Sequence, residues 1–206
     1  MFETHMKLSR IIWNHEVRQA DKIALKLVRK NEGKLARRLL LFPLSLGAYF
    51  LYKRGRLKIR KNLLFTKRLA FNAAIEVLGG KERFLEMRLI ELKTKEILDK
   101  GSKGFYTEKV RRKQLQEIEL LVDHYIKVLR SEKDLYEEGI RTCYPTKKKY
   151  QSFLNKLQEA EHAVIQVAIS SVRKGSKKER EAWFKKVEEV SRNAKMEEMN
   201  WIFPKV

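Results

Sequence analysis

One short stretch of the chain has a spacing typical of metal-binding helices. Residues 159–162 read Glu-Ala-Glu-His, and a glutamate three residues before a histidine is how di-iron and di-manganese bundles present ligands. Such a centre needs a second copy of the pattern and two more glutamates from other helices. The residue three positions before His124 is a leucine, so the second copy is missing. We therefore predict a surface Glu–His cluster, with no metal and no cofactor.

Other signatures of catalysis are missing from the sequence. It contains no HExxH, GxSxG, GxxxxGK or GxGxxG pattern, which excludes the motif-defined hydrolases, metalloproteases and nucleotide-binding folds. Cys143 is the only cysteine, so there is neither an internal disulfide nor a CxxC pair for zinc. Residues 1–20 lack the apolar core of a signal peptide, so we expect an intracellular protein. The sequence predicts that the protein is not an enzyme.

Half of the net charge of +21 is concentrated in one segment. Residues 33–75 contain eleven basic residues and no acidic one, whereas basic and acidic residues are mixed elsewhere. A charge of this size indicates an anionic partner such as nucleic acid, anionic lipid or an acidic protein. We predict that lipid headgroups or phosphates bind eight of these cations: Arg37, Arg38, Lys53, Arg54, Arg56, Lys58, Arg60 and Lys61.

An uncharged run, residues 39–52, lies between these basic clusters. Fourteen helical residues span about 21 Å, less than the ~30 Å of a bilayer core, and Pro43 favours a bend. Basic clusters at both ends favour a re-entrant hairpin, because that keeps both on the cytoplasmic face. A buried turn of a soluble core and a true membrane span are the alternatives. The residues predicted to insert are Leu39, Leu40, Leu41, Phe42, Pro43, Leu44, Leu46, Tyr49, Phe50, Leu51 and Tyr52.

Three functional hypotheses follow. The first is a non-catalytic adaptor or scaffold on the cytoplasmic face of a membrane, held by anionic lipid and offering its C-terminal helices to a protein partner. The second is a soluble helical protein that binds nucleic acid through the basic residues 53–68. The third, an enzyme or metal protein using Glu159 and His162, lacks the remaining ligands that such a site needs.

The elements that must position these residues are predicted to be helices. Three prolines and nine glycines in 206 residues favour long helices over a turn-rich β structure. We predict an all-α, elongated bundle of long antiparallel helices that ends in a helical hairpin, with N-terminal helices in residues 1–100 and a C-terminal bundle in residues 105–206. The predicted helices are residues 7–31, 48–78, 82–99, 107–130, a short helix between 131 and 145, and two helices after Thr146.

The apolar spacing predicts which faces of these helices are buried. In the first helix the stripe is Trp13, Val17, Ala20, Ala24 and Leu27. In the 48–78 helix, Phe50, Leu57, Leu64, Phe71 and Leu78 recur every seven residues, which predicts a narrow seam against one partner helix. The 82–99 helix carries Phe84, Leu85, Leu89, Leu92 and Ile97.

Overall fold

A computed structural model describes residues 2–29, 45–100, 106–171 and 177–204. These ranges contain seven helices and no strand, which confirms the all-α prediction. In chain order the helices are α1 (Phe2–Arg29), α2 (Ser45–Leu78), α3 (Arg83–Lys100), α4 (Glu108–Arg130), α5 (Tyr136–Cys143), α6 (Lys147–Ser171) and α7 (Lys177–Ile202).

Threonines begin two of the helices, as predicted. The Thr107 hydroxyl accepts a hydrogen bond from the Val110 N–H at 3.4 Å, and Thr146 accepts one from the Lys149 N–H at 3.2 Å. Ser131, the first residue of the range in which the short helix was predicted, is instead the C-cap of α4. Glu132 then takes a left-handed backbone conformation, with φ of 53°, so the short helix begins several residues later.

The turn from α2 to α3 depends on a glycine. Gly80 has φ of +99°, a conformation that side chains with a Cβ rarely adopt. The N–H of Lys81 donates to the carbonyl of Glu76 at 3.0 Å, which closes the end of α2. Consequently α3 folds back along the C-terminal half of α2, and the side chains of Leu69 and Lys93 border the same small cleft.

The last two helices form the predicted antiparallel hairpin. Lys147 at the start of α6 hydrogen-bonds Asn200 near the end of α7 at 3.0 Å. Further along, His162 lies 3.3 Å from Glu188. The hairpin packs against α4 and α1 rather than standing apart from the rest of the chain.

Helix α4 is the centre of the main core. Its buried face, which includes Ile118, Leu121, Val122, Tyr125 and Leu129, belongs to one apolar cluster with residues from all six other helices. A smaller apolar cluster packs α1 against α7 and α2 through Ile23, Leu27, Val190, Ala194, Ile59, Leu63 and Val187.

The seven-residue seam of α2 is only partly correct. Phe71 is buried, but Leu57 is exposed, while Ala70, Ala73 and Ala74 are fully buried. The reason is that α2 packs against α1 and α4 at once, so its buried arc is wider than a seam that faces one helix. Small alanines let these helices approach closely.

Candidate functional site

The described residues include only part of the predicted membrane-contacting segment. Arg37, Arg38 and the inserting residues 39–44 lie outside them, and none of the described helices is long and apolar enough to cross a bilayer. The next predicted residues form the first turns of α2, and their side chains also lie outside the description: Leu46, Tyr49, Phe50, Leu51, Tyr52, Lys53, Arg54 and, further along, Lys58.

Acidic residues of α1 hold several cations of the basic segment. Arg56 and Arg60 lie 3.3 Å and 3.4 Å from the two carboxylate oxygens of Asp21. Lys67 is paired with Glu16 inside the protein. Of the predicted phosphate-binding cations with described side chains, Lys61 is exposed. Because of these ion pairs, this part of α2 has less unpaired positive charge than the composition suggests.

Helix α3 exposes a row of large apolar side chains. Phe84 and Leu92 are 66% and 64% exposed, and Leu85 and Leu89 are also on the surface. The side of α3 that packs against the protein consists instead of Glu86, Ile90 and Thr94. An exposed apolar row of this length is typical of a surface that binds another molecule.

Charged residues border this row and continue it. Leu85, Leu89 and Leu92 follow the i, i+4, i+7 spacing of one helix face, and Glu96 is next in the same row. Glu96 is paired with Lys100, one turn further along. Beside the row, the Arg88 guanidinium lies 5.6 Å from the centre of the Phe84 ring. We call this surface, from Phe84 to Glu96, the α3 face.

The interior contains a second unusual region, a set of buried and half-buried charged groups. Glu16 of α1 accepts a hydrogen bond from the Tyr125 hydroxyl at 2.8 Å and forms the ion pair with Lys67. Burial acts to lower the pKa of Lys67, but the charge of Glu16 outweighs it and raises that pKa above its usual range. Lys67 therefore remains charged at neutral pH.

Glu198 of α7 is surrounded by donors. The hydroxyls of Tyr136 and Tyr150 each donate to it at 2.9 Å, and His15 lies 3.3 Å away. Burial opposes ionisation of this carboxyl, yet the proximity of His15 and Lys67 and the hydrogen bond from Tyr136 hold its pKa at about 2. The Glu198 carboxylate is thus stabilised by its neighbours.

Glu117 of α4 is different, although it lies in the same cluster. It is 7% exposed, and no hydrogen bond or ion pair joins its carboxyl to another described residue. Burial, together with the nearby charge of Glu161, raises the pKa of Glu117 to about 8, against the effect of Lys195 and Lys67. This carboxyl is therefore mostly protonated at neutral pH.

Glu161 and Lys195 complete the cluster across the hairpin. Lys195 is ion-paired with Glu161, and the Ser191 hydroxyl donates to the same carboxylate at 3.3 Å. His124, which faces this region from α4, stacks on Phe153 with 4.3 Å between ring centres. Burial lowers the pKa of His124 to about 4, so this imidazole is neutral.

A cavity of about 570 Å³ lies among α1, α2, α4, α6 and α7, and the charged cluster forms one part of its wall. Another part of the wall is apolar and belongs to the smaller core cluster. Exposed Phe65 and Ile97 also border the cavity, so it reaches the surface beside α3. Its volume is within the range of small-molecule sites.

The Glu-Ala-Glu-His stretch does not form a metal centre within the described residues. Glu159 is exposed, His162 faces Glu188, and Glu161 is used by Lys195. No group of three or more potential ligands of the kind His, Cys, Asp or Glu comes together in these ranges.

The sequence contains a pattern from which the interior cluster could have been predicted, although the spacing of apolar residues alone does not reveal it. Glu117 belongs to a fully buried row of α4, comprising Val110, Gln114, Glu117, Leu121, His124 and Val128. In α1, Glu16 similarly follows Leu8 and Ile12 at four-residue intervals. A charged residue that continues an apolar row is the pattern by which this cluster could have been found.

Comparison with protein-family models, curated proteins and solved structures gave no match, so the functional inference depends on the chain's own residues.

Proposed function

We propose that the protein is a non-catalytic adaptor on the cytoplasmic face of a membrane. In this proposal the basic segment that leads into α2, including Lys53 and Arg54, contacts anionic lipid, and the α3 face binds an acidic amphipathic helix of a partner protein. The observation that carries the proposal is the exposed apolar row on α3, because a helix that only had to fold would not place Phe84 and Leu92 in water.

The α3 face is better suited to the partner than the C-terminal hairpin named in the sequence-based hypothesis. The hairpin already uses Tyr150, Leu157 and Ile202 in the core. By contrast, Leu85, Leu89 and Leu92 have no such contacts to lose. A partner helix that covers this row would bury apolar area at little cost to the fold.

The charge of the protein determines which kind of molecule is favoured at the α3 face. A second copy of the chain would bring together two proteins of charge +21, which repel each other at low salt. A membrane surface would place Glu96, in line with the leucine row, against anionic lipid and acyl chains, which is unfavourable. An acidic helix is attracted by the overall charge of +21, and its charges would meet Lys93 and Lys95 beside the row, with an uncharged side chain opposite Glu96.

The two surfaces lie at different ends of α2. This helix has 34 residues and is therefore about 51 Å long. The predicted inserting segment enters its first turns, whereas α3 packs along its last turns after the bend at Gly80. Such a separation lets a membrane and a partner protein be bound at once.

Binding to the α3 face can be tested with a designed acidic peptide that has leucines at i, i+4 and i+7. We expect the wild-type protein to bind it, the Leu85→Glu/Leu92→Glu variant not to bind it, and a basic peptide with the same leucines to bind neither. The matched control is Leu135→Glu/Met196→Glu, which changes two exposed apolar residues elsewhere. If the wild type dimerises and Leu85→Glu/Leu92→Glu does not, the molecule that binds the α3 face is instead a second copy of the chain.

Membrane contact is tested separately by vesicle flotation. We expect wild type to float with vesicles containing phosphatidylserine and Lys53→Glu/Arg54→Glu to float much less. Lys148→Glu/Lys149→Glu makes the same charge change at exposed positions of α6 and should float like wild type. Equal flotation of all three proteins would contradict the proposal, and a salt-sensitive gel shift without flotation would favour nucleic-acid binding.

A further inference from the structure

The interior cavity has more carboxylates than cations on its wall. Four glutamates line it, Glu16, Glu117, Glu161 and Glu198, but only two lysines, Lys67 and Lys195. This excess of acid is opposite in sign to the protein's overall charge of +21. The local field in the cavity consequently favours a cation.

Three of the four carboxylates already have donors, and one does not. Lys67 and Tyr125 satisfy Glu16, Lys195 and Ser191 satisfy Glu161, and Tyr136 and Tyr150 satisfy Glu198. Glu117 lines the cavity without a hydrogen-bond partner among the described residues and is more than nine-tenths buried. Its carboxyl oxygens are not sealed in the core but open to the cavity, where a bound group can satisfy them.

Apolar side chains line the same cavity. Ile23, Leu27, Ile59, Leu63 and Val187 border it, on the side where α1, α2 and α7 meet. A ligand in contact with both parts of the wall needs a polar head and an apolar body. The volume of about 570 Å³ accommodates a ligand of on the order of ten to twenty non-hydrogen atoms.

We propose that this cavity binds an organic ammonium with an apolar chain, with the ammonium at the Glu117 carboxylate and the chain against Ile23, Leu27 and Leu63. Glu117 loses its proton to solvent as the ion pair forms. A fatty acid is the less suitable ligand, because Lys67 and Lys195, the two cations of the wall, are already paired with Glu16 and Glu161.

Calorimetric titration of the full chain with octylammonium and with octanoate tests this assignment. We expect octylammonium to bind and octanoate not to bind. Glu117→Gln keeps the shape of the side chain but removes its charge, and should weaken octylammonium binding by about tenfold or more. Glu119→Gln makes the same change on the exposed side of α4 and should bind like wild type.

A measurement of proton release distinguishes an ion pair between octylammonium and Glu117 from binding that only fills the cavity. Below pH 8 the binding of octylammonium to wild type should release up to one proton, measured in buffers of different ionisation enthalpy, and Glu117→Gln should release none. The other charged groups that face Glu117 are Glu16 on α1, Lys67 on α2, Glu161 on α6, and Lys195 and Glu198 on α7. The proposed ion pair requires that these groups keep their protonation states when octylammonium binds.

Each alternative result would overturn the proposal. These results are tighter binding of octanoate, no binding of octylammonium below its micellar range, undiminished binding by Glu117→Gln, or binding without proton release. Circular dichroism and thermal unfolding of Glu117→Gln would first establish that the variant is folded.

Discussion

The cavity wall around Glu117 and the α3 face depart from the usual distribution of side chains in opposite ways. The first places carboxylates and lysines on the wall of an interior cavity, and the second places leucines and a phenylalanine in water. Buried ion pairs are weak contributors to stability, and an exposed leucine gains little from folding. Folding alone therefore explains neither region, and both are where we locate binding.

The two regions differ in how firmly the fold specifies them. Five helices contribute to the interior cluster, and hydrogen bonds fix Glu16, Glu161 and Glu198. The α3 face belongs to a single helix whose outward side chains have few contacts. Substitutions should thus affect stability strongly in the interior and weakly on the α3 face.

The largest effect is expected from Lys67→Met. This change leaves Glu16 buried without its cation and should lower the free energy of unfolding by about 3–5 kcal/mol. The double variant Glu16→Gln/Lys67→Met should lose less than the single one, because no charge is left unpaired. Urea unfolding measures both variants. A loss below about 1 kcal/mol for Lys67→Met would show that the interior pair is not specified as described.

Helix α3 offers a matched pair of substitutions two residues apart. Ile90→Ala, on the buried side, should cost about 2–4 kcal/mol, whereas Leu92→Ala, on the α3 face, should change stability by less than about 0.5 kcal/mol. Equal losses in urea unfolding would mean that the leucine row is part of the core.

Glu117 should make the protein less stable as pH rises. Its folded pKa is about 8 and its ordinary value is 4.5, so the folded state keeps a proton that the unfolded state has lost between those values. Its contribution to stability is complete below pH 4.5 and is lost as pH rises through 8. Glu117→Gln should be more stable than wild type at pH 8, with a smaller difference at pH 5, as measured by urea unfolding at both pH values. A difference that does not depend on pH would contradict the assigned ionisation.

The smallest effect is expected for the double change on the α3 face. Leu85→Glu/Leu92→Glu should alter the free energy of unfolding by less than about 1 kcal/mol, because both side chains are already exposed. Thermal unfolding beside Leu135→Glu/Met196→Glu checks this. A large loss would make the variant unsuitable for the peptide test and would count against a free surface.

Helices were predictable from the sequence because their signals are local. The caps at Thr107 and Thr146 act within one turn, and the helices predicted to begin there do so; the predicted end of α2 at residue 78 was also correct. The start of α5 was not predictable in this way, since it depends on the left-handed conformation of Glu132.

The sites were less predictable, because they depend on which helices meet. The hydrophobic periodicity of α3 does not determine whether the side with Ile90 or the row with Leu92 packs against α2. Glu16, Glu117 and Glu198 come from separate helices, so their proximity is visible only in the folded chain. The membrane-contacting prediction for residues 39–44 lies outside the described residues.

Recruitment of the acidic leucine peptide to phosphatidylserine vesicles tests the adaptor proposal most directly. The peptide is repelled by anionic vesicles, so we expect it to float only when the protein is present. Leu85→Glu/Leu92→Glu should float without the peptide, and Lys53→Glu/Arg54→Glu should leave both in solution. Flotation of the peptide with either variant at the wild-type level, or no recruitment by wild type, would contradict the account.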